Sequence, residues 1–287
     1  MMDTLTQQKN KLLNSFDTDK TKFPNGLSNV TKLKNDKIKW MGVWRNMQGY
    51  MKGINPNNNM PHLKEHLNEI NQKPLIVYNG KKNRFTKKIP DKVVMPKISK
   101  ASSLAFYEEM ISNTKHNGFD FVKVDFQSDN FLYNRGTSNA VKGVYYNNSA
   151  FEESCTKHEL GLLNCIALHN FNVFNQKNSI LIRGIVDYKT NYTRIDKALV
   201  QNFANAFWLG HLHWIDQDMF HTSYQETARL MAISRAIAGG PVYLSDETKN
   251  IDDKYLKGML YKDGKIIGTL APGVPSIDNT KNRFCCN

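Results

Sequence analysis

A chain of 287 residues with 40% hydrophobic and 11% aromatic side chains can bury a sizeable core, which excludes wholesale disorder and allows one large domain or two small ones. The net charge of +13 invites a nucleic-acid reading, but the lysines are scattered among asparagines, as in Lys81-Lys82-Asn83-Arg84, with no nucleic-acid motif beside them. A solvated surface explains that charge better than a phosphate track. Cys155, Cys165, Cys285 and Cys286 show no CxxC pair or metal spacing, the first residues lack a secretory signal's apolar core, and no run approaches the ~18 apolar residues of a membrane helix. The expectation is a soluble, reduced, cytoplasmic protein with no membrane or nucleic-acid partner.

In chain order, a short helix over 26–34 precedes an apolar run, Ile38–Trp44, that reads as a buried strand. Residues 53–98 read as a polar, Asn- and Pro-punctuated insertion with strand-like pieces at 75–78 and 93–95. Leu104, Tyr107 and Ile111 recur at helical spacing and predict a helix over about 100–116. In the next strand, Phe121–Gln127, alternation puts Lys123, Asp125 and Gln127 on one face and Val122, Val124 and Phe126 on the other. A weaker helix near 148–160 leads to a short strand, Cys165–His169, and Ile180–Asp187 reads as a strand with Arg183 and Asp187 on one face.

A helix over 192–208 aligns Ile195, Leu199, Phe203 and Ala206. Ser223-Tyr224-Gln225-Glu226 reads as a capping box opening a helix that turns Leu230, Ile233 and Ile237 inward and stops at Gly239-Gly240-Pro241. A last strand, Val242–Asp246, and a helix near 252–260 complete the series.

Strands spaced by amphipathic helices argue for an α/β fold with a parallel sheet, whose ligands sit at the carboxyl ends of the strands. Trp44, Asp125, His169, Asp187, Asp218 and Asp246 fall at such ends. Two strands that each deliver a cation and a carboxylate, Lys123 with Asp125 and Arg183 with Asp187, suit the making and breaking of a glycosidic bond. A competing reading makes His211, His213, Asp216, Asp218 and His221 the ligands of a zinc hydrolase, although only His169 offers a histidine on another strand.

Five segments occur in order: Phe23-Pro24-Asn25-Gly26-Leu27, Ile38–Trp44 with Gly49-Tyr50, Val122–Gln127, Trp214–Phe220 and Ser234–Asp246. Together, over about residues 10–280, they resemble the raffinose synthase/seed imbibition protein branch of glycoside hydrolase family 36. The resemblance implies a (β/α)8 TIM-barrel-type catalytic domain and an α-galactosidase-like hydrolase that acts with retention on α-galactoside oligosaccharides such as raffinose-family sugars. It makes Asp125 the nucleophile and Asp187, four residues after Arg183, the general acid/base. It has Lys123 and Arg183 hold sugar hydroxyls, Trp44 and Trp214 offer aromatic faces, and Asp218 and His169 bond hydroxyl groups, with no cofactor and no metal. A nucleophilic carboxylate is best kept anionic by neighbouring cations, whereas an acid/base must hold a proton, so Asp187 is expected in a more apolar setting. A raffinose synthase-type galactosyltransferase shares the covalent intermediate and passes it to a sugar hydroxyl; a non-catalytic carbohydrate-binding remnant is the third reading.

The chain departs from the family pattern in three places. The paired acids after the Arg read Val186-Asp187, and the family's Gly-Glu-Phe segment reads Gly210-His211-Leu212. The family's Trp-rich strand and Asp-Asp-Gly-Trp strand end would lie before Met1. The expectation is therefore an incomplete barrel over 1–287, holding strands three to eight and the insertion at 53–98, weak or inactive alone. Strands one and two would come from a separate chain or an upstream segment, since six strands do not close a standard eight-stranded barrel.

Overall fold

The computed structural model describes residues 5–7, 10–72, 90–190 and 192–276, in two compact units, Met1–Ser179 and Ile180–Asn287. In the first unit β1 (Leu5–Gln7) and β2 (Leu13–Thr18) pair antiparallel, and α1 (Ser28–Thr31) is a single turn. The segments that build the site follow: β3 (Gly42–Asn46), an antiparallel pair of β4 (Leu67–Asn71) with β5 (Lys92–Pro96), α2 (Lys100–His116), β6 (Phe121–Asp125), α3 (Asn130–Asn134), α4 (Ala140–Lys157), β7 (Gly161–Asn164) and α5 (Asn170–Val173). β6 lies between β3 and β7, parallel to both, with Asp125 opposite Asn46 and Lys123 opposite Trp44 and Leu163.

The alternation in β6 decides which residues reach the site. Val122 and Val124 are fully buried in a cluster with Phe106, Tyr107, Met110 and Ile111 of α2 and Phe151 of α4. Each such burial is worth about 1.5–3 kcal/mol, so a one-residue slip that exposed both valines is strongly disfavoured. Lys123 and Asp125 are thereby held on the other face, half-buried. α2 starts cleanly because Ser99 Oγ accepts the Ser102 N–H at 3.1 Å.

In the second unit β8 (Leu181–Arg183) and β9 (Trp214–Asp216) pair parallel, with Arg183 opposite Asp216. Its helices are α6 (Tyr192–Leu209), α7 (Gln225–Ala238) and α8 (Lys254–Lys257). α7 ends at Gly239 in the left-handed conformation (φ +71°), and a Cβ on the next residue, Gly240, would stand 2.0 Å from the Ile215 carbonyl oxygen. Among the described residues no helix is long and apolar enough to cross a membrane.

Several elements differ from the sequence expectation. The first parallel strand is Gly42–Asn46, and Trp40 before it is 72% exposed. β7 ends at Asn164, before Cys165, and β8 ends at Arg183, so Asp187 lies in the following loop. α4 starts at Ala140, earlier than expected, and the polar insertion contains the β4–β5 pair; its expected piece at 75–78 lies outside the described residues. Val242–Asp246 makes one isolated bridge, Phe220 with Leu244, in place of a strand ladder.

The capping box does not form. Tyr224 precedes α7 without a side-chain cap, and the Ser223 N–H is taken by Asp246. α7 also turns the other way: Leu230, Ile233 and Ile237 are exposed, while Ala228, Met231, Ala232, Ser234 and Arg235 are buried.

Phe106 is fully buried and edge-on to Tyr107 at 5.1 Å. Phe106→Ala is expected to destabilise the first unit by about 3–5 kcal/mol in urea unfolding, through lost burial and a residual cavity.

Candidate active site

In the first unit the candidate site is built on the carboxyl ends of β3 and β6. Trp44 Nε1 donates to Asp125 Oδ2 at 3.0 Å, and the Phe126 N–H donates to Oδ1 at 2.8 Å. Both carboxylate oxygens are thus oriented by neutral donors. Just past the strand end, Phe126 itself turns into the left-handed region (φ +60°), an unfavourable conformation for a bulky residue. Gln48 Nε2 braces that turn through the Phe126 carbonyl at 2.9 Å, and the Gln48 N–H is held by Asn46 Oδ1. Lys123 lies two residues before Asp125 on the same face.

Trp44 stands edge-on to Tyr50, with centroids 6.2 Å apart, so its visible task is to hold the carboxylate. Gln127 does not share the Asp125 face: the strand has ended, and its buried side chain donates to Asn164 Oδ1 at 2.7 Å. His169 is exposed, stacks on Phe131, and caps α5 by accepting the Phe171 N–H on Nδ1.

In the second unit Arg183, buried at the end of β8, is the hub. Its Nη2 meets Asp218 Oδ2 at 2.5 Å and Asp187 Oδ1 at 3.2 Å. Asp218 is fully buried, also accepts the Tyr188 N–H at 2.6 Å, and donates its own N–H to Asp216 Oδ1 at 2.7 Å. Tyr243 Oη lies 2.8 and 2.9 Å from the Asp216 oxygens and 3.3 Å from Asp218 Oδ1. Burial, reinforced by the Asp216 and Asp218 charges, pushes the Tyr243 phenol far above its ordinary range, so it stays a donor. Arg235, buried on α7, closes the Gln217–Met219 turn through its three carbonyls at 2.6–3.3 Å, and burial pulls its guanidinium down to about 10.

These placements bear on three expectations. The Asp187 side chain is 81% exposed beside a guanidinium, not in an apolar setting. Asp218 spends its oxygens on protein donors, which suits it to hold Arg183 more than to greet a sugar hydroxyl. Trp214 begins β9, with its ring against Gly239, at the opposite end of the strand from Asp216.

Of the zinc reading's residues, His211 is exposed, His221 Nε2 faces the Ser245 carbonyl, and among the described residues no three His, Cys, Asp or Glu side chains gather as metal ligands. Sequence reasoning missed Tyr243, Arg235 and Gln48. An Arg within the apolar stretch of α7 was the one legible sign, because buried arginines are rare unless paired.

The family description "raffinose synthase or seed imbibition protein Sip1" matches residues 4–283. The chain belongs to this family. It is 25% identical over 254 residues to probable galactinol–sucrose galactosyltransferase 1 of Arabidopsis thaliana, and 27% identical over 260 residues to the same plant's probable galactinol–sucrose galactosyltransferase 6. These matches take in 87% and 88% of this chain but 33% and 34% of the two relatives, so the chain spans about a third of their length. An α-galactosidase from Thermus thermophilus, solved in complex with stachyose, matches with a TM-score of 0.56 at 13% identity, over 84% of this chain and 53% of its own. The raffinose synthase-family chain therefore has the α/β, TIM-barrel-type fold of α-galactosidases and covers part of the barrel.

Asp246 anchors the loop before α7 by accepting the Thr222 and Ser223 N–H groups, each at 2.8 Å. Burial works against its anion, but the hydrogen bonds from Ser223 and Thr222 outweigh it and hold the carboxyl below its ordinary 3.8. A depressed carboxyl stabilises the fold above its unfolded value, and that contribution disappears as pH falls through the folded one. Asp246→Ala is expected to cost about 1 kcal/mol at neutral pH. In urea titrations the difference from wild type should shrink below about pH 4.

Proposed function

We propose that this chain carries the catalytic carboxylates of an α-galactoside-cleaving enzyme that works with retention. Asp125 attacks C1 of the galactosyl unit while Asp187 gives its proton to the departing glycosidic oxygen, so the C1–O bond to the aglycone breaks as the galactosyl ester forms. Asp187 then takes a proton from water, whose oxygen attacks C1 and releases the Asp125 carboxylate. The observation that carries this reading is the orientation of Asp125 by Trp44 Nε1 and the Phe126 N–H, which fixes the carboxylate without neutralising it. Arg183 holds the exposed Asp187 at 3.2 Å, where a leaving group or a water can reach it. Raffinose-type oligosaccharides are the proposed substrates, in keeping with the family and with the stachyose bound to the Thermus protein.

A second reading, galactosyl transfer, is favoured by the names of the two Arabidopsis relatives. The same ester would then be resolved by a sugar hydroxyl. Product analysis with and without sucrose separates the two: a new trisaccharide marks transfer, and free galactose at an unchanged rate marks hydrolysis.

For hydrolysis of an aryl α-galactoside, Asp125→Asn is expected to lower kcat/KM by at least about 1,000-fold, with the circular dichroism of wild type. NMR of the first product should show α-galactose. Activity retained by Asp125→Asn, no turnover by wild type, or β-galactose as first product would refute the reading.

A further inference from the structure

We infer that Tyr243 is a positioning residue for proton transfer, acting on Asp187 through Asp218 and Arg183; this rests on the reading of Asp187 as the acid/base. Tyr243 Oη meets three carboxylate oxygens within 3.3 Å, two of Asp216 and one of Asp218, yet it has a single proton to share among them. That proton lies where two buried like charges would otherwise face each other, and it draws the two carboxylates together. Tyr243 holds Asp218 Oδ1, which helps aim Oδ2 at Arg183 Nη2 and the Tyr188 N–H. The same Nη2 holds Asp187 Oδ1. Among the described residues this is the hydrogen bond that holds the exposed Asp187 side chain, so the direction of its carboxyl depends on where Arg183 points.

The phenol suits this task better than its replacements. It remains a donor throughout any working pH, because burial and the two carboxylates hold its proton. Phe would fill nearly the same space but leave Asp216 Oδ2 and Asp218 Oδ1 without the bridging proton. The Asp218 carboxylate would then lose one of the hydrogen bonds that fix its direction, and the aim of Arg183 would loosen with it.

A residue that only supports the fold would slow all substrates alike. One that aims the proton slows them in proportion to how much the leaving group needs that proton. For Tyr243→Phe, kcat/KM on methyl α-galactoside is expected to fall at least about 30-fold, and on α-galactosyl fluoride, which leaves without a proton, less than about threefold. Equal losses on both, or no loss on either, overturn the inference. Should Tyr243→Phe not fold, Asp218→Asn must show the same split.

A second arm does not depend on turnover. In nitrogen-15 NMR, with the Arg183 guanidinium assigned through Arg183→Lys, hydrogen exchange at Arg183 should quicken at least about tenfold in Tyr243→Phe, while exchange at Arg235 stays near wild type. Unchanged exchange at Arg183 overturns the inference. A wild-type chain that turns over neither substrate would defeat the proposed activity, and the exchange measurement would then decide the positioning role alone.

Discussion

Arg183 divides one guanidinium nitrogen between a buried carboxylate and an exposed one, and the second unit's chemistry hangs on that division. Burying Asp216 and Asp218 next to each other costs several kcal/mol per ion unless each charge is matched and hydrogen-bonded. Two buried guanidiniums, Arg183 and Arg235, answer the two carboxylates, and Tyr243 supplies the proton between them. With both buried carboxylates hydrogen-bonded, Arg183 also reaches Asp187 in the loop beyond β8. An unmatched member would leave a buried charge without compensation, so the cluster holds together or fails together.

The first unit orients its carboxylate by different means. Asp125 is aimed by an indole N–H and by the backbone N–H of the residue that follows it. Neutral dipoles fix direction without adding charge, and the left-handed turn at Phe126 is a point of local strain directly after the carboxylate. Gln48 and Asn46, both buried, keep that turn in place from the end of β3.

The alternating pattern of strands and helices was legible because Val122, Val124, Tyr107 and Ile111 are large, apolar and regularly spaced, and all four are buried. The same rule misread α7. There Leu230, Ile233 and Ile237 form the more hydrophobic stripe, yet the buried side is made of Ala228, Ala232, Ser234 and Arg235. The buried side of α7 is made of small residues, Gly240 just past its end lies under the Ile215 carbonyl, and Arg235 faces inward to reach the Gln217–Met219 carbonyls. A buried arginine inverts a periodicity argument. Likewise Ile38–Trp44 is apolar in composition, but the parallel pairing with β6 begins only at Gly42.

The charged strand ends Lys123/Asp125 and Arg183/Asp187 stood out in the sequence because charges at the close of β-branched runs are conspicuous. Tyr243 and Gln48 did not, since a Tyr in an apolar run or a Gln in a turn looks ordinary until its partners are known. The family's motifs named Asp125 and Asp187; the geometry adds what aims each of them. The central claim is that Asp125 forms a covalent bond to the sugar, and the most direct test is to trap that bond. After incubation with a 5-fluoro α-galactosyl fluoride, whose ester turns over slowly, the tryptic peptide Val124–Arg135 should gain the mass of the fluorogalactosyl group on Asp125. Labelling of Asp129 in that peptide, labelling elsewhere in the chain, or no label at all would contradict the account.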